Sequence, residues 1–475
     1  MRYLRQTGAP RRLSIKNLTN SFTAMCRYNK PLKVLFSTGL GILLVGLVVG
    51  IVVTQPVMAG PSPKMDQARL LQVEQTARLI ASDGVAGDTF GWSVAVDGDT
   101  IAVGAPGDEA GRGSVYVFVK PEGGWRGTLT ETARLVPSGG ADNSQFGYSV
   151  AVNGSTIIIG AIYDNSRKGA AYIFVKPAGG WHGTLTETAR LTASDGTVWD
   201  SFGTAVALSH NTAIVSASKD EVGGKIGQGS AYVFTQPAGG WHGTLTETAK
   251  LVASDGAEGD DFGRSAGISG DTVVIGAPVF SANRSGSAYV FIRPSGGWAG
   301  TLTETAKLVA SDSGGAGDFF GVSAGISGNT IVSGAAFHNS NQGALYIFTE
   351  PAGGWHETLT ETARLTASDG NWNDRLGVSA GISGDTVVGG ADLFDNGKGA
   401  AYRFDRPQDG WSGVLTETAR LTATEAMAND NFGYAVAVSG STTAIGAPNS
   451  NGSQGVVYVF VTYTPIYLPV VLKNP

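Results

Sequence analysis

The chain has 475 residues, a formal charge of −6, one cysteine and 70 glycines, about double the usual share of glycine. A single cysteine excludes a disulfide framework and cysteine-based metal centres, and the acidic balance excludes binding of nucleic acid through bulk charge. The glycines stand at turns between short apolar runs, which indicates a turn-dense all-β fold rather than a disordered chain.

Residues 1–59 differ from the rest. They carry eight Lys/Arg and no acid, an apolar run from Val34 to Val53, and small or β-branched residues at Val57 and Ala59 before Gly60. This pattern predicts a secretory signal peptide cut before Gly60. Left uncut, the run of about 20 residues would span a bilayer as a signal anchor, and Met25 offers a second possible start. The expected location is secreted or cell-surface, with membrane contact only through this segment. Cys26 lies before the apolar run, so the mature chain has no cysteine, and loss of the eight basic residues leaves a formal charge near −14. Residues 60–70 read as a linker.

From 71 to 461 one pattern recurs seven times. Phe90-Gly91, Phe146-Gly147, Phe202-Gly203, Phe262-Gly263, Phe320-Gly321, Leu376-Gly377 and Phe432-Gly433 are each followed 14 positions later by Gly-Ala or Ser-Ala. In the first unit Trp92 to Val96 alternates as a strand, turns at Asp97-Gly98 and continues through Ile101 to Ala105. Every other unit keeps an Asn-Gly or Ser-Gly turn, except for Ser209-His210-Asn211. A third strand follows around Tyr116, then a Gly-Gly-Trp connector, then a fourth strand typified by Thr188-Ala189-Arg190-Leu191.

Four antiparallel strands per unit make one blade, and seven units predict an all-β, seven-bladed β-propeller. The first copy of the fourth strand, Thr76-Ala77-Arg78-Leu79, precedes the first Phe-Gly, and the last unit stops after its third strand at Phe460. The N-terminal strand is therefore expected to complete the seventh blade and close the ring. Residues 462–475 form an apolar, proline-punctuated tail.

The units Phe90-Gly91…Gly104-Ala105-Pro106, Phe262-Gly263…Gly276-Ala277-Pro278 and Phe432-Gly433…Gly446-Ala447-Pro448 resemble the FG-GAP repeats of integrin α-subunit heads and related bacterial exported proteins. That resemblance implies a seven-bladed propeller and, by way of integrins, adhesive binding through the loops of one face. The calcium loop found in many such repeats is replaced here by tight turns such as Asp97-Gly98-Asp99, too poor in carboxylates for calcium. The chain looks like a short-hairpin bacterial variant, and no metal or cofactor is expected. The acids near the Phe-Gly steps, Asp83 and Asp88, Asp255, Asp260 and Asp261, and Asp312 and Asp318, read as turn formers.

The loops after the Gly-Ala step vary between copies, and loops on a rigid scaffold often carry specificity. Their charged residues are the binding candidates: Asp108, Glu109 and Arg112; Asp164, Arg167 and Lys168; Asp220, Glu221 and Lys225. The expected partner is an extracellular protein or glycan. An alternative uses Trp125, Trp181, Trp241, Trp298, Trp355 and Trp411 as exposed stacking rings of a multivalent lectin, although repeated large aromatics more often pack between blades. An enzyme with a site in the central channel is a further alternative. Three of the five histidines, His182, His242 and His356, follow a repeat tryptophan at positions freely exchanged between copies, no catalytic motif occurs, and no enzyme is expected.

Overall fold

Each blade grows outward from a short strand at the propeller axis. In blade one this is Ser93–Asp97, which turns into Thr100–Ala105, pairs with Ser114–Val119 and ends at Ala133–Leu135, every pairing antiparallel. Thr100–Ala105 is buried at every position, because neighbouring blades cover both of its faces. That is why its sequence is continuously small and apolar rather than alternating. In the computed structural model residues 72–279, 284–312 and 317–463 are described. The expected signal segment, the linker and all but the first residues of the tail lie outside them.

The ring closes as the repeat count requires. Gln72–Ile80 runs antiparallel to Val456–Tyr463, with Leu79 opposite Val457, and becomes the outer strand of blade seven. Six of the seven blades carry a fifth strand beyond these four among the described residues. Gly127–Thr130 pairs in parallel with Gln72–Ile80, and equivalent segments at Gly183–Leu185, Gly243–Leu245, Gly300–Thr303, Glu357–Thr360 and Gly413–Thr416 extend the next five blades. The stretch read as a plain connector is thus a fifth strand lent to the preceding blade. Blade six keeps four strands among the described residues, since blade seven takes its outer strand from the N-terminus and has no connector to lend.

This loan explains the near-identity of the connectors. In Ser82 both the amide and the hydroxyl donate to Glu131, at 3.0 and 2.6 Å, and the same clasp joins Ser138 to Glu187, Ser194 to Glu247, Ser254 to Glu304, Ser311 to Glu361 and Ser368 to Glu417. At the closing seam Gln75 takes the glutamate's place and accepts from the Thr424 amide at 3.2 Å.

The Phe-Gly and Gly-Ala steps are two sides of one contact. A Cβ on Gly104 would lie 2.1 Å from the Gly147 carbonyl oxygen of the next blade, far inside any real contact. Gly147 itself has φ +91, a conformation open mainly to glycine. Ser93 donates to that same carbonyl at 2.8 Å. Blade three exchanges the parts: Ala205 stands where five of the other blades have serine, and Ser216, in the glycine's place, donates to Gly263 O at 2.5 Å.

The hairpin turns link into a second ring. Asp97 accepts from the Gly154 amide, Asn153 from His210, Ser209 from Gly270, Ser269 from Gly328, Ser327 from Gly384, Ser383 from Gly440, and Ser439 from Gly98. His210, the departure in sequence, adopts φ +51 beside Gly154 at +58. The chain keeps the turn without the glycine, at the modest strain of a left-handed histidine.

Seven apolar clusters fill the gaps between blades. In each of six, the Phe-Gly phenylalanine meets the third-strand tyrosine and phenylalanine, edge-on as Phe90 does with Tyr116 at 5.6 Å and Phe118 at 6.0 Å, or tilted as Phe202 and Phe262 do with Tyr232 and Tyr289; aromatic quadrupoles favour edge-to-face contact.

Candidate functional site

The polar residues between blades divide into those that build the ring and those that face outward. Tyr116 donates its hydroxyl to Asp83 at 2.9 Å and to Asp108 at 3.1 Å, and Arg134 pairs with the same two acids at 3.2 and 2.6 Å. Burial, with Asp108 adding to it, pushes the Tyr116 hydroxyl far above its ordinary pKa, so it stays a neutral donor. Asp195, Asp255, Asp312 and Asp369 hold the corresponding tyrosine and cation in later blades. The linker acids therefore have two jobs. Asp83 and its counterparts tie blades together, whereas Asp88, Asp200, Asp260, Asp374 and Asp430 accept the backbone amide three residues upstream and form the expected turn.

The same accounting places the nine loop candidates. Asp108, Asp164 and Asp220 are buried. Asp164 receives Tyr172 and Arg190, and Asp220 receives Ser230 at 2.6 Å and Lys250 at 2.8 Å, so these three acids are built into the scaffold. Arg112, Lys168 and Lys225 donate to the carbonyls of Gly140, Gly196 and Gly256 at 3.1, 2.8 and 2.5 Å, stapling each loop to the next linker. Glu109 is exposed but pairs with Arg134 at 2.8 Å. Arg167 and Glu221 are exposed, and the Arg167 guanidinium lies 4.5 Å over the Trp199 ring. Five of the loops share one left-handed turn, at Glu109-Ala110, Asn165-Ser166, Asn339-Ser340, Asp395-Asn396 and Asn451-Gly452. Their sequences vary while their backbones do not.

The six connector tryptophans are buried, from 1% exposure at Trp181 to 7% at Trp298 and Trp411, each within an inter-blade cluster. They cannot serve as stacking platforms, which removes the multivalent lectin built on them. The other three tryptophans of the chain point outward or toward the axis. Trp199 and Trp372 are 53% and 73% exposed on the linkers between blades, where Val85 and Met427 are also exposed. Trp92 lies at the mouth of the central channel.

That mouth is lined by the residue after each Phe-Gly step: Trp92, Tyr148, Thr204, Arg264, Val322, Val378 and Tyr434, around a cavity of about 250 Å³. Trp92 packs against Tyr434 at 4.8 Å and Tyr148 at 5.7 Å, and Arg264 reaches the Tyr148 hydroxyl oxygen at 3.4 Å. Burial pushes the Tyr434 phenol well above its ordinary pKa. A second cavity of about 390 Å³ shares Tyr148, Thr204 and Arg264 with the first and adds Tyr163, Lys219 and Asp261. Tyr163 in turn meets Trp199 edge-on at 6.3 Å. An aromatic and cationic surface thus runs from the axis across blades two and three. Sequence reasoning passed over its inner part, although the signal was present: within an otherwise repetitive strand, the residue after Phe-Gly changes in nearly every copy.

A sequence profile described as "FG-GAP repeat" matches the chain seven times, at residues 73–118, 129–174, 185–234, 245–291, 302–348, 359–404 and 415–460. No curated protein matches the chain. Among solved structures, the WD40 β-propeller domain of Doa1 is similar at 11% identity and a TM-score of 0.47, over 82% of this chain and 97% of that one. With seven in-phase matches on seven closed blades, the chain belongs to the FG-GAP repeat family.

Proposed function

We propose that the protein is an exported or cell-surface binding scaffold that recognises a protein partner with the face carrying the channel mouth and the inter-blade linkers. The observation that carries this reading is the gathering of Trp92, Tyr148, Arg264 and Tyr434 at the axis with exposed Tyr163, Arg167, Trp199 and Trp372 around them. Tryptophan, tyrosine and arginine dominate the energetic centres of protein interfaces. The opposite end presents near-identical connectors with exposed His182, His242 and His356, a repetitive surface with little to distinguish one partner from another. The basic and apolar first 59 residues support export.

A photo-crosslinking amino acid placed at position 199 or 372 of the full-length protein in the producing cell tests this. Discrete protein adducts from 199 and 372, absent from matched placements at 182 and 356, are expected. Equal labelling at both ends, or none at 199 and 372, would refute the proposed binding face.

A further inference from the structure

We infer that the cup at the channel mouth binds a carboxylate group, which Arg264 engages between the rings of Trp92, Tyr148 and Tyr434. The inference rests on the reading of this face as the binding surface and specifies what that surface takes. Arg264 is the only charged residue among the seven that follow a Phe-Gly step. It makes no ion pair within 4 Å among the described residues, and its one side-chain hydrogen bond is the long contact to Tyr148. Its neighbour Asp261 is occupied, both carboxylate oxygens lying 2.6 and 2.7 Å from Lys219 Nζ. The serine hydroxyls that line the cup, Ser93, Ser149, Ser265, Ser323 and Ser379, are spent on the next blade's glycine carbonyl.

A half-buried guanidinium with no acid in ion-pair contact, its acidic neighbour Asp261 acting on it only from beyond that range while engaged by Lys219, is incompletely compensated, and its planar fork of donors matches a carboxylate in bidentate geometry. The phenols of Tyr148 and Tyr434 offer further donors, and burial keeps Tyr434 protonated. Trp92 and the tyrosine rings give the walls an apolar surface for a short methylene stem. At about 250 Å³ the cup is smaller than the roughly 300–1,000 Å³ of sites for drug-sized ligands. It fits one side chain or one small acid. The positive charge of the cup disfavours cations.

The test uses two isosteric probes, N-acetyl-glutamate amide and N-acetyl-glutamine amide, titrated into the full-length protein and followed by tryptophan fluorescence, to which Trp92 contributes at the site. The acid should give a saturable change in the millimolar range and the neutral isostere none. Arg264→Gln should weaken the acid at least tenfold, and Arg264→Lys should retain part of the response. Tyr148→Phe with Tyr434→Phe leaves the charge in place and should weaken binding less than Arg264→Gln.

An acetate arm separates the two sources of the group. Acetate as effective as the glutamate probe would assign the cup to free small acids, and a clear advantage for the glutamate probe would assign it to an acidic side chain of a protein. Equal response to the neutral isostere, an unaltered titration in Arg264→Gln, or no saturable signal up to about 100 mM would overturn the inference. If crosslinks at positions 199 and 372 persist in that case, the binding face stands and only its carboxylate specificity fails.

Discussion

Leu79 tests whether the N-terminal strand is a full member of the ring. It is completely buried, as are Leu135, Leu191 and Leu251 at the same place in blades one to three, although it precedes the first Phe-Gly unit and Leu191 lies well inside the repeat array. Removing a buried leucine side chain to alanine costs about 2–5 kcal/mol, through lost transfer energy and the residual cavity. Leu79→Ala and Leu191→Ala should therefore destabilise the propeller alike. Over the roughly 390 residues from 72 to 463 the unfolding entropy is on the order of 0.8 kcal/mol/K. Each variant should lower the melting temperature by about 2–6 °C, read by calorimetry or circular dichroism. If Leu191→Ala falls by that amount and Leu79→Ala stays within about 1 °C, the N-terminal strand does not close blade seven in solution and the reasoning is wrong.

Two further outcomes follow from the contacts between blades. Gly104→Ala drives a Cβ into the Gly147 carbonyl and should cost about 1–3 kcal/mol or more; Gly123→Ala, which meets nothing within 4 Å, should stay within about 0.5 kcal/mol, and equal melting curves would discredit the account of the motif. Burial raises the Asp195 pKa, but hydrogen bonds from Lys250 and Tyr232 outweigh it and hold the carboxyl below its ordinary value. A depressed folded-state pKa contributes stability above the unfolded value of about 3.9 and loses it as pH falls through the folded one. Asp195→Asn should therefore destabilise at pH 7 and cost progressively less below about pH 4. A difference in melting temperature that stays constant from pH 7 to about pH 3 would contradict that sign.

Periodicity alone determined the fold: seven Phe-Gly steps in phase, and a stray fourth-strand copy at Thr76–Leu79, left one economical closure. It also gave the hairpins, because turn chemistry is local. The fifth strand was not legible, since Gly-Thr-Leu-Thr offers a single apolar side chain to a parallel pairing across a blade boundary. Nor were the fates of the charges. Asp108 and Glu109 are adjacent in the chain, yet one is buried under Tyr116 and Arg134 and the other faces solvent.

The tryptophans divide in the same way. Repetition marked six for attention, and packing buried those six, while the unrepeated Trp92, Trp199 and Trp372 line the axis or face solvent. A repeated residue answers to a neighbour that is itself repeated, so its place can be inferred from the period. The cup depends on four different side chains, from Trp92, Tyr148, Arg264 and Tyr434, brought to one axis from blades far apart in sequence, and only closure of the ring puts them within reach of one another.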